Sequence, residues 1–359
     1  MKTRLLRDLR RPLIVAAIVA GLVVAGLLAL LPGRVGGSLA GARLGTGAPG
    51  SSASDPLIVA AGDIACPPHR VQTSSSRTPN NCAEMLTSDL AISLHPAAVL
   101  PLGDEQYRCG RTNEFASYDA SWGRLKSTTH PVVGNHEYGR ICHANDATPY
   151  FDYFATAAGG REQGWYSYDI GTWHLIALNS ECSYGKGAQA VGGCGPDSPQ
   201  AAWLAADLAA HQGRCTLAYW HEPRFSSGEH GDAQTMTPIW NQLVAAHADV
   251  VLNGHNHDYE RFEPAGATTE MQVASSSTTT GAPSFQNPSS QADGIREFVV
   301  GTGGKNHYGF KHPLLLGEVV RNAADFGLLA LRLHPDGYDW SFRSIVAGGF
   351  TDAGSGRCH

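Results

Sequence analysis

Five runs along the chain share one pattern: an apolar, β-prone stretch followed at once by Gly or Trp and then by polar side chains. They are Leu57-Ile58-Val59-Ala60-Ala61-Gly62-Asp63 and Ala98-Val99-Leu100-Pro101-Leu102-Gly103-Asp104. Pro131-Val132-Val133-Gly134-Asn135-His136-Glu137, Thr216-Leu217-Ala218-Tyr219-Trp220-His221 and Asp249-Val250-Val251-Leu252-Asn253-Gly254-His255-Asn256-His257 complete the set. Strands this apolar suit sheets covered on both faces. The segments Cys82 to Leu94, Asn113 to Lys126, Pro199 to His211 and Pro238 to His247 read as helices. Strand alternating with helix predicts α/β architecture, with ligands gathered beyond the carboxyl ends of the strands. Further strands are expected at Trp173 to Leu178, Arg296 to Val300, Phe326 to Leu333 and Tyr338 to Ile345. Two packed sheets with helices outside would use them all. Ala265 to Asp293 is rich in Ser, Thr, Gly and Pro and reads as a long loop.

The N-terminus has a different pattern. Residues 1–11 carry five basic side chains against Asp8, and Leu13 to Leu31 contains no charge. Nineteen residues of helix span about 28 Å, close to the thickness of a bilayer's hydrocarbon core. Residues 1–11 therefore read as a cytoplasmic flank, 12–31 as a transmembrane anchor or a cleaved signal segment, and 32–55 as a Gly/Ser/Ala-rich linker. Residues 56–359 are expected outside the cytoplasm: membrane-anchored, or secreted if the segment is cleaved. Eight cysteines without a C-x-x-C pair agree with disulfides in an oxidising compartment. Cys182 with Cys194, and Cys215 with Cys358, are two of the many possible pairings.

Composition narrows the classes. A hydrophobic content of 42% excludes a wholly disordered chain, and a net charge of −6 without a basic stripe argues against nucleic acid as the main partner. The only membrane contact expected is through the N-terminal segment.

Asp63, Asp104, Tyr107, Asn135, His221, His255 and His257 stand at the predicted strand ends. Carboxylates, imidazoles, an amide and a phenol form a mixed N/O donor set suited to first-row transition metals. Seven donors exceed the needs of one ion and suffice for two if a carboxylate bridges. Paired cations can clamp a phosphate and acidify a bound water.

The ordered set Gly62-Asp63, Gly103-Asp104-x-x-Tyr107, Gly134-Asn135-His136-Glu137, His221 and Gly254-His255-x-His257 resembles the calcineurin-like metallophosphoesterases. Within them it is most similar to the purple acid phosphatase branch. Asp63-Ile64-Ala65 lacks the His of the general Asp-x-His motif, and Tyr107 stands where that branch has its tyrosine. The resemblance implies a four-layer αββα sandwich of two mixed sheets for residues 56–359. It implies one ion, typically Fe(III), on Asp63, Tyr107, His257 and a share of Asp104. A second, Fe(II), Zn(II) or Mn(II), would take Asn135, His221, His255 and the other share. His136 and His230 would bind the substrate phosphate and protonate the leaving oxygen. The implied function is hydrolysis of small-molecule phosphomonoesters by hydroxide bound at the dinuclear centre. A phosphodiesterase on the same centre, or a non-catalytic extracellular binding module on the same fold, are the alternatives.

Other residues have more ordinary readings. Glu137, Glu222 and Arg261 read as outer neighbours of the centre, Glu137 and Arg261 equally as structural partners. His174, in an apolar run, reads as a satisfied core histidine, and His307, after Gly301-Thr302-Gly303-Gly304, as a loop residue within possible reach of the pocket.

Overall fold

The computed structural model describes residues 55–68, 82–139, 142, 146–161, 163–183, 185–267 and 294–359. The basic flank, the apolar segment and nearly all of the linker lie outside them, as does most of the Ser/Thr-rich loop. Among the described residues no helix is long and apolar enough to cross a membrane.

The described strands form two mixed sheets. One has five strands in the order β12 (Ala353–Arg357), β11 (Gly337–Ser344), β10 (Gly327–His334), β1 (Leu57–Ala61) and β2 (Ala98–Pro101). Only β1 and β2 run parallel in it. The other has seven strands in the order β3 (Tyr166–Ile170), β4 (Trp173–Ala177), β5 (Thr216–Tyr219), β6 (Val250–Asn253), β8 (Arg296–Val300), β7 (Tyr259–Phe262) and β9 (Glu318–Asn322). Its centre, β4-β5-β6-β8, is parallel.

The helices are α1 (Glu84–Ser93), α2 (Phe115–Ala120), α3 (Thr148–Phe154), α4 (Gly185–Val191), α5 (Pro199–Ala210) and α6 (Thr237–Ala245). α5 starts as its sequence dictates: the Ser198 hydroxyl accepts from Ala201 N at 3.2 Å, and Pro199 needs no donor in the first turn.

Strand alternation decides what packs where. Leu175, Leu217, Leu252 and Phe298 of the larger sheet share one core with Val59, Leu329 and Leu331 of the smaller. Their neighbours Ile176, Ala218 and Val251 point the other way, onto Leu204 of α5 and Ile239, Trp240 and Leu243 of α6. Burial on both faces is why these strands are apolar throughout.

Three expectations need correction. Pro131-Val132-Val133 is not a strand; it runs beside β2 through isolated bridges, with Val132 N donating to Pro101 O at 3.1 Å. Pro131 has no amide hydrogen to continue a ladder. The helix expected over Asn113 to Lys126 breaks at Ser121, whose hydroxyl bonds back to Ser117 O at 2.8 Å, and resumes as a 3-10 turn over Trp122–Thr128. The strands β7, β9 and β12 were not among those expected, and β12 (AGSGR) has almost no apolar signal to show.

All eight cysteines are paired: Cys66–Cys82, Cys109–Cys142, Cys182–Cys194 and Cys215–Cys358. The last two are the pairs considered from the sequence.

Candidate metal centre

The carboxyl ends of β1 and β2 meet those of β5, β6 and β8. Gly62 N donates to Val300 O at 2.8 Å, tying the end of β1 to the end of β8 across the two sheets. Beyond the strands, Asp63 N donates to Gly103 O at 3.1 Å and Gly254 N to His221 O at 3.0 Å. Asp63, Asp104 and His255 adopt left-handed backbone conformations, with φ of 58°, 50° and 69°. Each such conformation costs about 1–3 kcal/mol and persists only where surrounding contacts impose it. Two glycines make the approach possible. A Cβ on Gly103 (φ +84°) would lie 2.5 Å from His221 Nδ1, and one on Gly134 would lie 2.3 Å from Asp104 Oδ1.

The structure brings all seven expected donors together in two groups. In the first, the Tyr107 hydroxyl lies 2.8 Å from Asp63 Oδ1 and 2.9 Å from His257 Nε2, which is itself 3.3 Å from Asp63 Oδ1. In the second, His221 Nε2 lies 3.1 Å from Asn135 Oδ1, 3.2 Å from His255 Nδ1 and 3.4 Å from Asp104 Oδ1. Donor atoms of Asp63, Asp104 and His221 all lie within 4.8 Å of one another.

The proton count decides what such a cluster can hold. His221 Nδ1 lies 2.8 Å from Leu102 O, and His257 Nδ1 lies 2.7 Å from Asn306 O. A carbonyl only accepts, so both Nδ1 atoms carry hydrogen and both Nε2 atoms turn a lone pair into the centre in the neutral ring. The first group then has one proton, on Tyr107, for two acceptors, Asp63 Oδ1 and His257 Nε2. The second group has the single ring proton of a neutral His255 and the amide hydrogens of Asn135 to set against the lone pairs of His221 Nε2, Asn135 Oδ1 and the Asp104 carboxylate. Lone pairs packed this closely need positive charge among them, and two cations fit that need.

Without cations the charge is supplied by protons. Burial opposes a charged imidazole at His221, but Asp104 outweighs it and pushes His221 well above the usual histidine range. Burial likewise opposes the Asp104 carboxylate, and His221 and His136 together bring it far below its ordinary value. His255 is pushed well down by burial and by its charged neighbour His221. Burial and the charges of Asp104 and Asp63 hold the Tyr107 phenol well above its ordinary value. Its ionisation therefore requires a cation close by.

A cavity of about 710 Å³ opens over the donors. His136 and Glu222 line it, as does His230, whose ring centroid lies 4.6 Å from that of His255. His136 Nδ1 is 2.6 Å from Arg108 O, and its Nε2 is 3.7 Å from Asp104 Oδ2. Glu137 lies beneath, fully buried, and its carboxylate accepts from Asp104 N and Gly134 N.

Arg261 is not brought to the centre. It pairs with Asp352 at 2.8 Å and lies over Trp340, because β7 alternation turns it toward the smaller sheet. His307 is not in the cavity wall either; it packs on Phe326, and Tyr308, one residue on, lines the cavity and stacks on His257 at 4.0 Å. His174 is a satisfied histidine, 2.9 Å from Asp169 and 2.8 Å from Asp207. His69 and His143, which the sequence places in loops, lie outside the described residues.

Sequence reading missed Arg108, Lys305 and Tyr308 in the wall. A signal for the last two existed: Phe298-Val299-Val300-Gly301-Thr302 repeats the strand-then-glycine pattern of the five ligand-bearing runs.

No family model matches the chain. Among characterised proteins, purple acid phosphatase 15 of Arabidopsis thaliana is 29% identical over 155 residues, 39% of this chain and 27% of that protein. Among solved structures, purple acid phosphatase PPD1 from yellow lupin (Lupinus luteus) seeds superposes with a TM-score of 0.61 at 17% identity, over 85% of this chain and 54% of that one. The chain thus resembles purple acid phosphatases in sequence over part of its length and in fold over most of it. A dimetal phosphatase from Danio rerio shares the fold over its full length, with a TM-score of 0.56 at 13% identity and 85% of this chain covered. The purple acid phosphatase-like match spans little more than a quarter of the Arabidopsis relative's length.

Proposed function

We propose that the chain is a metal-dependent phosphoric ester hydrolase acting on small-molecule phosphomonoesters, exported from the cytoplasm. The proton-poor convergence of Tyr107, Asp63 and His257 beside Asn135, His221, His255 and Asp104 carries this reading. Asp63, Tyr107 and His257 would hold one cation, typically Fe(III); Asn135, His221 and His255 would hold the other, Fe(II), Zn(II) or Mn(II). Asp104 would serve both. When bound, the pair supplies Lewis acidity toward a phosphoryl oxygen and a water acidic enough to ionise at moderate pH.

The chain's own residues supply the rest. His136 and His230, both in the cavity wall, would hydrogen-bond the phosphoryl oxygens and deliver a proton to the leaving oxygen. Glu137 would keep the Asp104 and Gly134 backbones in place beneath them. The two cores, with α5 and α6 on the outer face of the larger sheet, support the four-layer αββα arrangement. The four disulfides support an oxidising compartment, with residues 12–31 acting as anchor or signal. Donors are present at every motif, which favours an enzyme over a binding module.

The test is metal analysis, a visible spectrum and turnover of an aryl phosphomonoester by the full chain. Two metals per chain with ester hydrolysis are expected. An iron-loaded protein should be coloured and Tyr107→Phe colourless. A protein that binds two metals and releases no phosphate would overturn the proposal.

A further inference from the structure

Lys305 places a positive charge in the wall of a cavity that already gathers cation ligands. Its main chain is firmly held. Lys305 N donates to Asp63 O at 2.8 Å, and the residue bridges to Cys82, which is disulfide-bonded to Cys66. The next residue, Asn306, offers its carbonyl to His257 Nδ1. The side chain then crosses Tyr107, with Nζ 5.3 Å from the ring centroid and donating to Asn306 Oδ1. The ammonium group thus lies over the ring whose hydroxyl contacts Asp63 and His257.

An ammonium here repels any cation those donors hold. That repulsion is offset when an anion lies between them, which is the arrangement of a phosphate site rather than of a bare metal site. Coulomb attraction scales with the product of the charges, so a doubly charged phosphomonoester gains about twice what a singly charged diester gains from the same lysine. Arg108 lines the same cavity, but its side chain is exposed and screened by water.

We propose that Lys305 binds the phosphoryl group and biases the site toward doubly charged monoesters over singly charged diesters. This rests on the hydrolase reading above. Because the electrostatic gain is linear in charge, the logarithm of the loss on removing it should be twice as large for the monoester.

The experiment compares para-nitrophenyl phosphate with bis(para-nitrophenyl) phosphate, using the metal-loaded full chain, Lys305→Gln, Lys305→Met and Lys305→Arg. The neutral variants should lose about tenfold in kcat/KM on the monoester, mainly through KM, and about threefold on the diester. Inhibition by inorganic phosphate should weaken in parallel, Lys305→Arg should restore most of both, and metal content should stay unchanged. Equal losses on the two esters, or unchanged inhibition by phosphate, would overturn the assignment. If the wild-type chain hydrolyses neither ester, the hydrolase reading fails by itself. Lys305 is then judged by calorimetric binding of inorganic phosphate: weaker binding in Lys305→Gln supports it, and equal binding refutes it.

Discussion

The Glu137 carboxylate accepts the Asp104 backbone N–H at 3.0 Å, and the same oxygen accepts Gly134 N at 2.9 Å. One buried side chain thereby fixes two loops that carry donors of the centre. Burial, and after it the nearby Asp104 charge, pushes Glu137 up to about 8. Removing it should loosen both loops. Glu137→Ala is expected to lower metal affinity about 10–100-fold, the range for partners that orient metal ligands. Glu137→Gln keeps an acceptor and should lose less, as read by metal titration monitored by fluorescence.

Donor atoms of Asp104, of Asp63 in the first group and of His221 in the second lie within 4.8 Å of one another, and in the proposed function Asp104 would serve both groups. Asp104→Asn should reduce bound metal at both positions and lower activity by more than about a hundredfold, beyond the loss for an orienting partner. Metal content by mass spectrometry checks this. A fully loaded, active variant would exclude the bridging role.

Gly134 has no room for a side chain. In Gly134→Ala the new Cβ would lie 2.4 Å from the Asp104 backbone nitrogen as well as against its carboxylate. The expected cost is about 1–3 kcal/mol from overpacking, with Asp104 displaced. Urea denaturation should show the loss, and metal titration should show weaker binding in whatever fraction folds.

His174 supplies a pH dependence far from the centre. Burial opposes its charged form, but bonds to Asp207 and Asp169 outweigh that and raise it above the usual histidine value. Its contribution is therefore complete below about pH 6.5 and is lost as pH rises through the raised value. Asp169 is lowered by its hydrogen bond to His174. Asp207 is also lowered, its bonds to His174 and Ser167 outweighing burial. Their contribution is present above the ordinary carboxylate range and lost on acidification. The stability gap between wild type and His174→Gln should thus be wider at about pH 5.5 than at about pH 8.5, as measured by urea denaturation. A gap independent of pH would contradict the charged pairing.

The Cys215–Cys358 bridge closes the longest of the four loops, 143 residues apart. Cys358→Ser should lower stability by up to about 5 kcal/mol through the entropy returned to the unfolded chain. Removing Cys182–Cys194, 12 residues apart, should cost about 2 kcal/mol less. Denaturant midpoints of the two variants give the comparison.

The donors were legible because their signal is local. An apolar strand, a glycine and a polar residue describe how the chain ends β1, β2 and β6, and the backbone turn there depends on two or three adjacent positions. Asp63, Asp104, His255 and His257 stand in such turns; His221 follows Trp220 in place of a glycine, and Asn135 follows Gly134 after a segment that runs beside β2 without being a strand. Tyr107, three residues beyond Asp104, belongs to the same strand end, and the resemblance supplied its role as a ligand. What met across the chain was not local. Asp63 Oδ2 accepts the backbone N–H of His255, 192 residues away, and no periodicity reports that. Arg261 pairs with Asp352, which precedes a strand too poor in apolar residues to be foreseen. Lys305 and Tyr308 enter the cavity while His307 between them packs on Phe326, because the loop's path over β1 sets which side chains face inward. The order of chemistry along the chain is thus a property of short segments. Which of those segments face one another, and which neighbours complete the pocket, is decided by the packing of two sheets whose contacts span the whole domain.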